Sequence, residues 1–250
     1  MAIRYLLLFC FSIISLSMSG QESFKSATVK YFNICSPTYS DLEEIFSSDK
    51  IPTYKLDCVN WPERNDGYDV TSSFKVIYSD THLYIRYQNR EKALRATYSS
   101  DQECKPWTED CMELFIIPNP NNHLYFNIEM SCIGYGIVGK GAERTDREYL
   151  GADELNRIIR YCSLGRVPFG DKEILSDSDE YFNWSMIIAI PLDLFGKEIP
   201  SLIKGKSVRA NVYKCGDNMI VPHYLSWSPV GTPKPNFHTP EYFGYFFFEE

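Results

Sequence analysis

A tryptophan lies in a short polar loop directly before an apolar segment of the chain. The segment, residues 112–117, is short, rich in aromatic and aliphatic side chains and closed by Pro118, which is typical of a buried strand. Trp107 therefore stands at a strand entrance, where loops often carry binding residues. An indole there could stack on a ligand, or it could fold back as a lid on the core, and its spacing alone leaves both interpretations open.

Carboxyl and amide side chains share one face of the next predicted strand, residues 124–130. Tyr125, Asn127 and Glu129 alternate with apolar residues, and Glu113 follows Trp107 by six positions on the neighbouring strand. The simplest interpretation is a solvated outer face. The alternative is an enzyme site, in which Glu113 and Glu129 would act as the paired carboxylates of a glycoside hydrolase or lyase.

Other reactive residues give weaker indications. His223 and His238 lack a serine or cysteine in a nucleophile elbow, so a catalytic triad has little support. Haem ligation through Met130 and His223 is a further possibility for a sandwich domain, ranked below sugar binding. The acidic residues 177–180 could hold Ca²⁺, although they lack the spacing of a dedicated calcium loop.

The N-terminal segment predicts an exported chain, and the cysteines leave its disulfide pairing open. Residues 1–20 have the basic start, apolar stretch and small residues of a secretory signal peptide, which predicts a secreted or periplasmic protein. Beyond Cys10 an odd number of cysteines remains, so at least one thiol is left over. Cys104 and Cys111 bracket the tryptophan loop and could stiffen it as a pair. The cysteine spacings match no zinc motif.

Composition excludes several partner classes. The 250-residue chain has a net charge of −8, so it has no electrostatic attraction to nucleic acid or to anionic membranes. No second apolar stretch predicts a membrane span. Residues 21–250 contain no repeat or linker, which favours a single domain.

Many short strands separated by turn residues predict an all-β fold. The pattern indicates a two-sheet antiparallel β-sandwich, jelly-roll or immunoglobulin-like, with one or two short helices. A hairpin is expected at residues 73–78 and 82–87, and the best helix at residues 153–161. Further strands are predicted at residues 56–61, 184–190, 208–214, 224–227 and 245–248.

A second aromatic residue, Phe237, lies in a proline-rich segment just before the last predicted strand. Two rings that face each other across a cleft can sandwich a pyranose, while carboxylate and amide groups bind its hydroxyls. The segments PWTEDCMELFI, YFNIE, NVYKCGD, SWSP and FHTPEYFG, in that order, resemble the family 9 carbohydrate-binding modules. The chain is most similar to stand-alone, exported members from Bacteroidetes-type bacteria, and the resemblance runs from about residue 56 to the C-terminus.

The resemblance implies a non-catalytic β-sandwich that grips a mono- or oligosaccharide, or a glucan or xylan chain end, in support of polysaccharide breakdown. It places Trp107 as the first clamping ring and Glu113 as the acidic hydrogen-bonding residue. Asn127 stands where xylan-binding members have arginine, Tyr213 where they have glutamine, and Phe237 replaces the second tryptophan, with Asn236 beside it. These differences from the family pattern leave the identity of the bound sugar undetermined. The resemblance also implies that a glycoside hydrolase is a possible partner, that no cofactor is required and that a structural Ca²⁺ is possible.

Overall fold

The computed structural model describes residues 24–64, 67–119, 121–175 and 177–250. The predicted signal peptide, residues 1–20, lies outside the described residues. Among those described, no helix is long and apolar enough to cross a membrane.

Strands dominate the described chain, and helices are short. The strands are β1 Ser26–Tyr31, β2 Tyr54–Lys55, β3 Thr71–Tyr78, β4 His82–Glu91, β5 Ala93–Ala96, β6 Cys111–Ile117, β7 Tyr125–Ser131, β8 Gly136–Gly141, β9 Glu148–Tyr149, β10 Ile159–Cys162, β11 Gly170–Glu173, β12 Phe182–Pro191, β13 Ser207–Cys215, β14 Tyr224–Ser226 and β15 Gly244–Phe248. The α-helices are α1 Tyr39–Ser47, α2 Ala152–Leu155 and α3 Ile199–Leu202. Single 3₁₀ turns lie at Pro62–Arg64, Pro106–Thr108, Leu192–Phe195 and Pro240–Tyr242.

Thirteen strands form one curled, mixed sheet, and β5 and β11 form a separate pair. The prediction of a mostly β fold is confirmed, and the prediction of a two-sheet antiparallel sandwich is matched only in part, because the large sheet is mixed. Strand β1 runs parallel to both of its neighbours, pairing with β15 through its first four residues and with β3 through its last two. It thereby joins the half built from β3, β4, β10 and β12 to the half built from β6, β7, β8, β13 and β15.

The main core lies between these two halves. Apolar side chains from both halves fill it; Phe74 of β3, for example, packs on Phe246 of β15 with ring centroids 5.9 Å apart. Helix α1 covers the outer face of the first half through Leu42 and Phe46. A second aromatic cluster lies on the outer face of the other half and includes Phe115, Tyr125, Tyr213 and Phe237.

The secondary structure predicted from sequence agrees with the structure where apolar and polar residues alternate strongly. The hairpin of β3 and β4 is confirmed, and its predicted inward residues lie in the main core. The predicted helix over residues 153–161 is wrong in its second half, because Ile159 begins an edge strand that pairs with β12. The predicted strand over residues 56–61 reduces to a single bridge at Cys58, and β1 falls in a segment with no predicted strand.

Candidate functional site

A pocket of about 310 Å³ opens on the outer face of the second half of the sheet. Its lining combines carboxyl groups, aromatic rings, one guanidinium and one thiol. The residues are Trp107, Glu113, Glu129, Ile137, Arg144, Tyr149, Cys215, Asp217, Tyr224, Pro235, Asn236, Phe237 and His238. A larger groove of about 580 Å³ along β3, β4 and β12 is lined mainly by hydroxyl and amide groups and has no exposed aromatic ring. The chemistry therefore favours the smaller pocket.

The pocket floor comes from three neighbouring strands in register. Glu129 of β7 lies opposite Glu113 of β6, which lies opposite Tyr213 of β13. The alternation of β7 is confirmed, since Phe126 and Ile128 point into the main core. A solvated outer face is the wrong description, because both glutamates are at most 4% exposed. Loops rise around this face and turn it into the bottom of a pocket.

Burial and proximity raise the pKa of the two floor carboxyl groups. Burial first, and then the neighbouring Glu129, raises the pKa of Glu113 well above its ordinary range. Burial raises the pKa of Glu129 to about 7, although a hydrogen bond from Asn127 and the charges of Arg147 and Arg144 oppose the rise. Two like charges side by side in a buried place cannot both form easily. The pair can therefore both donate and accept hydrogen bonds.

Asn127 supports the floor from behind. Its Nδ2 donates to Glu129 Oε1 at 2.7 Å, and its Oδ1 accepts from Arg147. A Cβ at position 139 would lie 2.6 Å from Asn127 Oδ1, so the glycine found there leaves room for the amide. Asn127 is 1% exposed and does not line the pocket, so it orients Glu129 rather than facing the cavity.

Trp107 stands at the rim on a 3₁₀ turn that the loop holds firmly. The backbone N–H of Asp217 donates to the Trp107 carbonyl at 2.8 Å. At the end of the same loop, the Glu109 carboxylate accepts from Thr97 Oγ1 at 2.6 Å and from the Tyr98 N–H at 3.1 Å. Trp107 is nevertheless 36% exposed. The loop backbone is therefore held in place while the indole keeps a free surface, and the lid interpretation is wrong.

Phe237 forms part of the wall. It stacks on Tyr213 with centroids 4.0 Å apart and planes 11° apart, and it is 8% exposed. Tyr213 is fully buried behind it and does not reach the pocket. Asn236 lines the pocket, and its Oδ1 accepts from the His238 N–H at 3.1 Å.

The structure thus brings four of the six predicted site residues to one pocket and sets Asn127 and Tyr213 directly behind it. Sequence reasoning missed five polar or aromatic lining residues: Arg144, Tyr149, Asp217, Tyr224 and His238. His238 stays neutral because burial, and then Arg147 and Arg144, lower its pKa to about 3. No local signal marks these residues, since they come from five separate loops or short strands.

A second buried polar group, the lysine cluster, lies on the opposite face of the same sheet. Lys214 Nζ is paired with Asp110, lies 3.1 Å from Glu91 Oε2 and donates to His223 Nε2 at 2.9 Å. Trp184 Nε1 donates to Glu91 Oε1 at 2.6 Å. Burial opposes the charge on Lys214, but Asp110 and Glu91 outweigh it and raise the lysine pKa.

The metal and haem predictions fit these surroundings poorly. Within the described residues, two groups of three side chains could hold an ion, and neither suits Ca²⁺. One, Cys111, Glu113 and Cys215, contains two thiols, and Ca²⁺ prefers oxygen. The other, Glu91, Asp110 and His223, already surrounds the Lys214 ammonium. Residues 177–180 belong to neither group, so a structural Ca²⁺ stays a prediction.

Haem ligation by His223 finds no support here. Its Nε2 accepts from Lys214, and its Nδ1 lies 3.2 Å from the Val221 carbonyl, so both ring nitrogens are engaged. Burial, and then the charge on Lys214, hold the pKa of His223 well below its ordinary value. Met130 is buried in the main core.

Comparison with known proteins identifies the family. The model of carbohydrate-binding family 9 matches residues 40–248. The chain belongs to this family. A proposed carbohydrate-binding protein from Bacteroides uniformis has a similar crystal structure, with 30% identity and a TM-score of 0.82, covering 91% of this chain and all of that one.

Two further family 9 structures share the fold. Both are of a carbohydrate-binding module from Caldicellulosiruptor kristjanssonii, one in complex with cellotriose and one with glucose. Each is 13% identical to this chain with a TM-score of 0.57, and each covers 90% of it; the chain covers 94% and 95% of those modules. No curated protein matches the chain.

Proposed function

We propose that this family 9 chain binds a saccharide in the pocket between Trp107 and Phe237, without catalysing a reaction. The observation that carries the proposal is an exposed indole on a firmly held loop, beside buried carboxyl groups that keep hydrogen-bonding capacity. A sugar ring presents an apolar face and a rim of hydroxyls. The indole suits the face, and Glu113, Glu129 and Asn236 suit the hydroxyls.

The shape of the pocket favours a chain end over the middle of a chain. A volume of about 310 Å³ lies at the lower end of the range of small-molecule sites. The floor is closed by the buried residues Glu113, Glu129 and Tyr213. A polysaccharide would therefore present its terminal one or two residues, and the remaining chain would leave past Trp107.

The clamp is asymmetric. Trp107 offers an exposed ring, whereas Phe237 is 8% exposed, because Tyr213 stacks on one face and Trp61 and Tyr224 also pack against the ring. Tyr149, which is 55% exposed, and Tyr224 also line the pocket and extend its aromatic surface. The substitution of phenylalanine for tryptophan therefore leaves an aromatic wall in place.

The enzyme alternative depends on Glu113 and Glu129. Hydrolases place their two carboxyl groups on either side of the bond that is cleaved. Here the two side chains stand next to each other on adjacent strands of one floor. This arrangement suits hydrogen bonding to neighbouring hydroxyls of a single ring.

The wider role follows from the resemblance. Glucan and xylan oligosaccharides are the first candidates, export to the periplasm or outside the cell agrees with the predicted signal peptide, and a glycoside hydrolase is the expected neighbour. Each of these is part of the proposal.

Calorimetric titration of the mature protein with glucan, xylan, mannan and pectin oligosaccharides tests the proposal. Trp107→Ala should weaken binding more than about tenfold, or about 1.4 kcal/mol. Phe247→Ala removes an exposed aromatic ring outside the pocket and should leave affinity unchanged. A cyclic glucan, which has no chain end, should not bind.

Turnover of any oligosaccharide during these titrations would support the enzyme alternative, provided that Glu113→Gln abolishes it. Absence of binding by the folded protein to every sugar in the panel would contradict the proposal.

A further inference from the structure

Two cysteines that are far apart in the sequence meet at the pocket floor. Cys111 of β6 and Cys215 of β13 are directly opposite each other in the antiparallel register. Cys215 Sγ donates to Glu113 Oε1 at 3.0 Å. The two sulfur atoms and a Glu113 oxygen all lie within 4.8 Å of one another, and all three side chains are at most 3% exposed.

We propose that Cys111, Cys215 and Glu113 form a binding site for a thiophilic divalent cation, with Zn²⁺ as the biological candidate. Zn²⁺ accepts both sulfur and carboxylate oxygen, at about 2.3 Å and about 2.0–2.2 Å, usually in a tetrahedron. Ligand atoms in such a tetrahedron are roughly 3.5–3.8 Å apart. Cys215 Sγ and the Glu113 oxygen, at 3.0 Å, would therefore move apart by roughly half an ångström, and separations of up to 4.8 Å within the group would close by about 1 Å. We expect side-chain rotation to supply both movements.

The ion would have an entry path and an open position. Cys215 and Glu113 line the pocket, so a cation reaches them from solvent. Three protein ligands leave the fourth position of a tetrahedron for water or another ligand, as in zinc sites that are not purely structural. Glu129, opposite Glu113, supplies a further carboxyl group beside the ion.

The lysine cluster, the other group of potential metal ligands among the described residues, differs from the pocket floor in whether a cation of the chain is already present. Its three potential ligands already surround an ammonium group from the chain itself. The floor group of Cys111, Glu113 and Cys215 has no such cation in contact among the described residues: the salt bridges and hydrogen bonds found for Glu113 and both thiols involve none. A soft cation is the partner that two thiols and a carboxyl group together select.

The inference does not rest on the proposed function, and its test uses the metal alone. Reduced, chelator-treated protein would be titrated with Cd²⁺, a spectroscopic substitute for Zn²⁺ whose thiolate complexes absorb in the ultraviolet. We expect saturable 1:1 binding and displacement by Zn²⁺. Cys111→Ser and Cys215→Ser should each weaken Cd²⁺ binding by more than about tenfold, since loss of even a second-shell partner costs about that much.

Two other thiols provide matched controls. Cys35→Ser removes an exposed thiol and Cys132→Ser a buried one in the main core, and both variants should bind Cd²⁺ like the wild type. Loss of the ultraviolet band in Cys35→Ser, or its persistence in a Cys111→Ser/Cys215→Ser double variant, would overturn the proposal.

X-ray absorption of the Zn²⁺-loaded wild type removes any dependence on variant folding. The expected first shell contains two sulfur atoms together with oxygen. A shell without sulfur, or failure of the reduced protein to retain Zn²⁺ after desalting, would equally overturn the proposal.

Discussion

Two groups of buried carboxyl side chains lie back to back on one sheet and are neutralised in different ways. Strand β13 makes the contrast directly, because Lys214 points into the lysine cluster and the next residue, Cys215, points into the pocket floor. In the lysine cluster an ammonium from the chain balances Glu91 and Asp110. In the floor no ammonium is present among the described residues, and burial instead raises the pKa of Glu113 and Glu129 and so favours their protonated forms.

The difference separates a structural arrangement from a binding one. Lys214, Glu91, Asp110 and His223 of the lysine cluster are fully buried and contact one another, and Tyr68 and Trp184 also donate to Glu91. The floor carboxyl groups face a cavity and keep hydrogen-bonding capacity for something that enters. Equivalent substitutions in the two groups should therefore change stability by different amounts.

Lys214→Met should have the largest effect on stability. It leaves two buried carboxyl groups without their cation, which typically costs about 3–5 kcal/mol. Chemical denaturation at neutral pH would measure the loss. Lys50→Met, at an exposed lysine, is the control and should change stability little. A loss below about 1 kcal/mol for Lys214→Met would show that the cluster does not depend on its ion pairs.

Glu91→Gln and Glu113→Gln form a matched pair. In the lysine cluster the new amide N–H₂ faces donors from Trp184, Tyr68 and Lys214, and we expect a loss of about 2–4 kcal/mol. In the floor an amide replaces a protonated carboxyl, and its oxygen still accepts from Cys215, so stability should change by less than about 1 kcal/mol. Equal losses in the two variants would remove the distinction between the clusters.

Acid should destabilise the pocket wall through His238. Burial, Arg147 and Arg144 hold its folded pKa at about 3, and Phe115 and Tyr125 pack around the ring. The neutral imidazole stabilises the folded protein above the pKa that histidine has in the unfolded chain, about 6.5. This stabilisation is lost as the pH falls towards the lower pKa of His238 in the folded protein, because the unfolded chain then binds the proton more readily. Between pH 7 and pH 5 the advantage of wild type over His238→Gln should shrink by about 1–2 kcal/mol. Denaturation curves at both pH values would show this, and a constant difference would contradict it.

The parts of the site that follow from local pattern were predictable. The six-residue spacing from Trp107 to Glu113 spans one loop and one strand start, and the alternation of β7 puts Glu129 on the same face. Both placements depend only on the alternation of side chains between the two faces of a strand. The resemblance extended them to Asn236 and Phe237 in a distant loop.

The parts that depend on long-range register were not predictable. Cys111 meets Cys215 because β6 pairs with β13, and no local signal fixes that pairing. Likewise, Ile159 joins an edge strand although its spacing with Leu155 and Ile158 suits a helix. The parallel pairing of β1 with β3 and β15 could not be predicted either, because β1 lies in a segment where the sequence predicts no strand.

The most direct test of saccharide binding in the pocket compares indole N–H signals by NMR during titration with cellotriose. Trp107 lies at the pocket rim and Trp184 in the lysine cluster, so one reports on the site and the other on the interior. We expect the Trp107 signal, assigned with Trp107→Phe, to shift and saturate while the Trp184 signal stays in place. Should the Trp107 signal remain unmoved while the sugar binds elsewhere, or shift no more than that of Trp184, the pocket would not be the binding site.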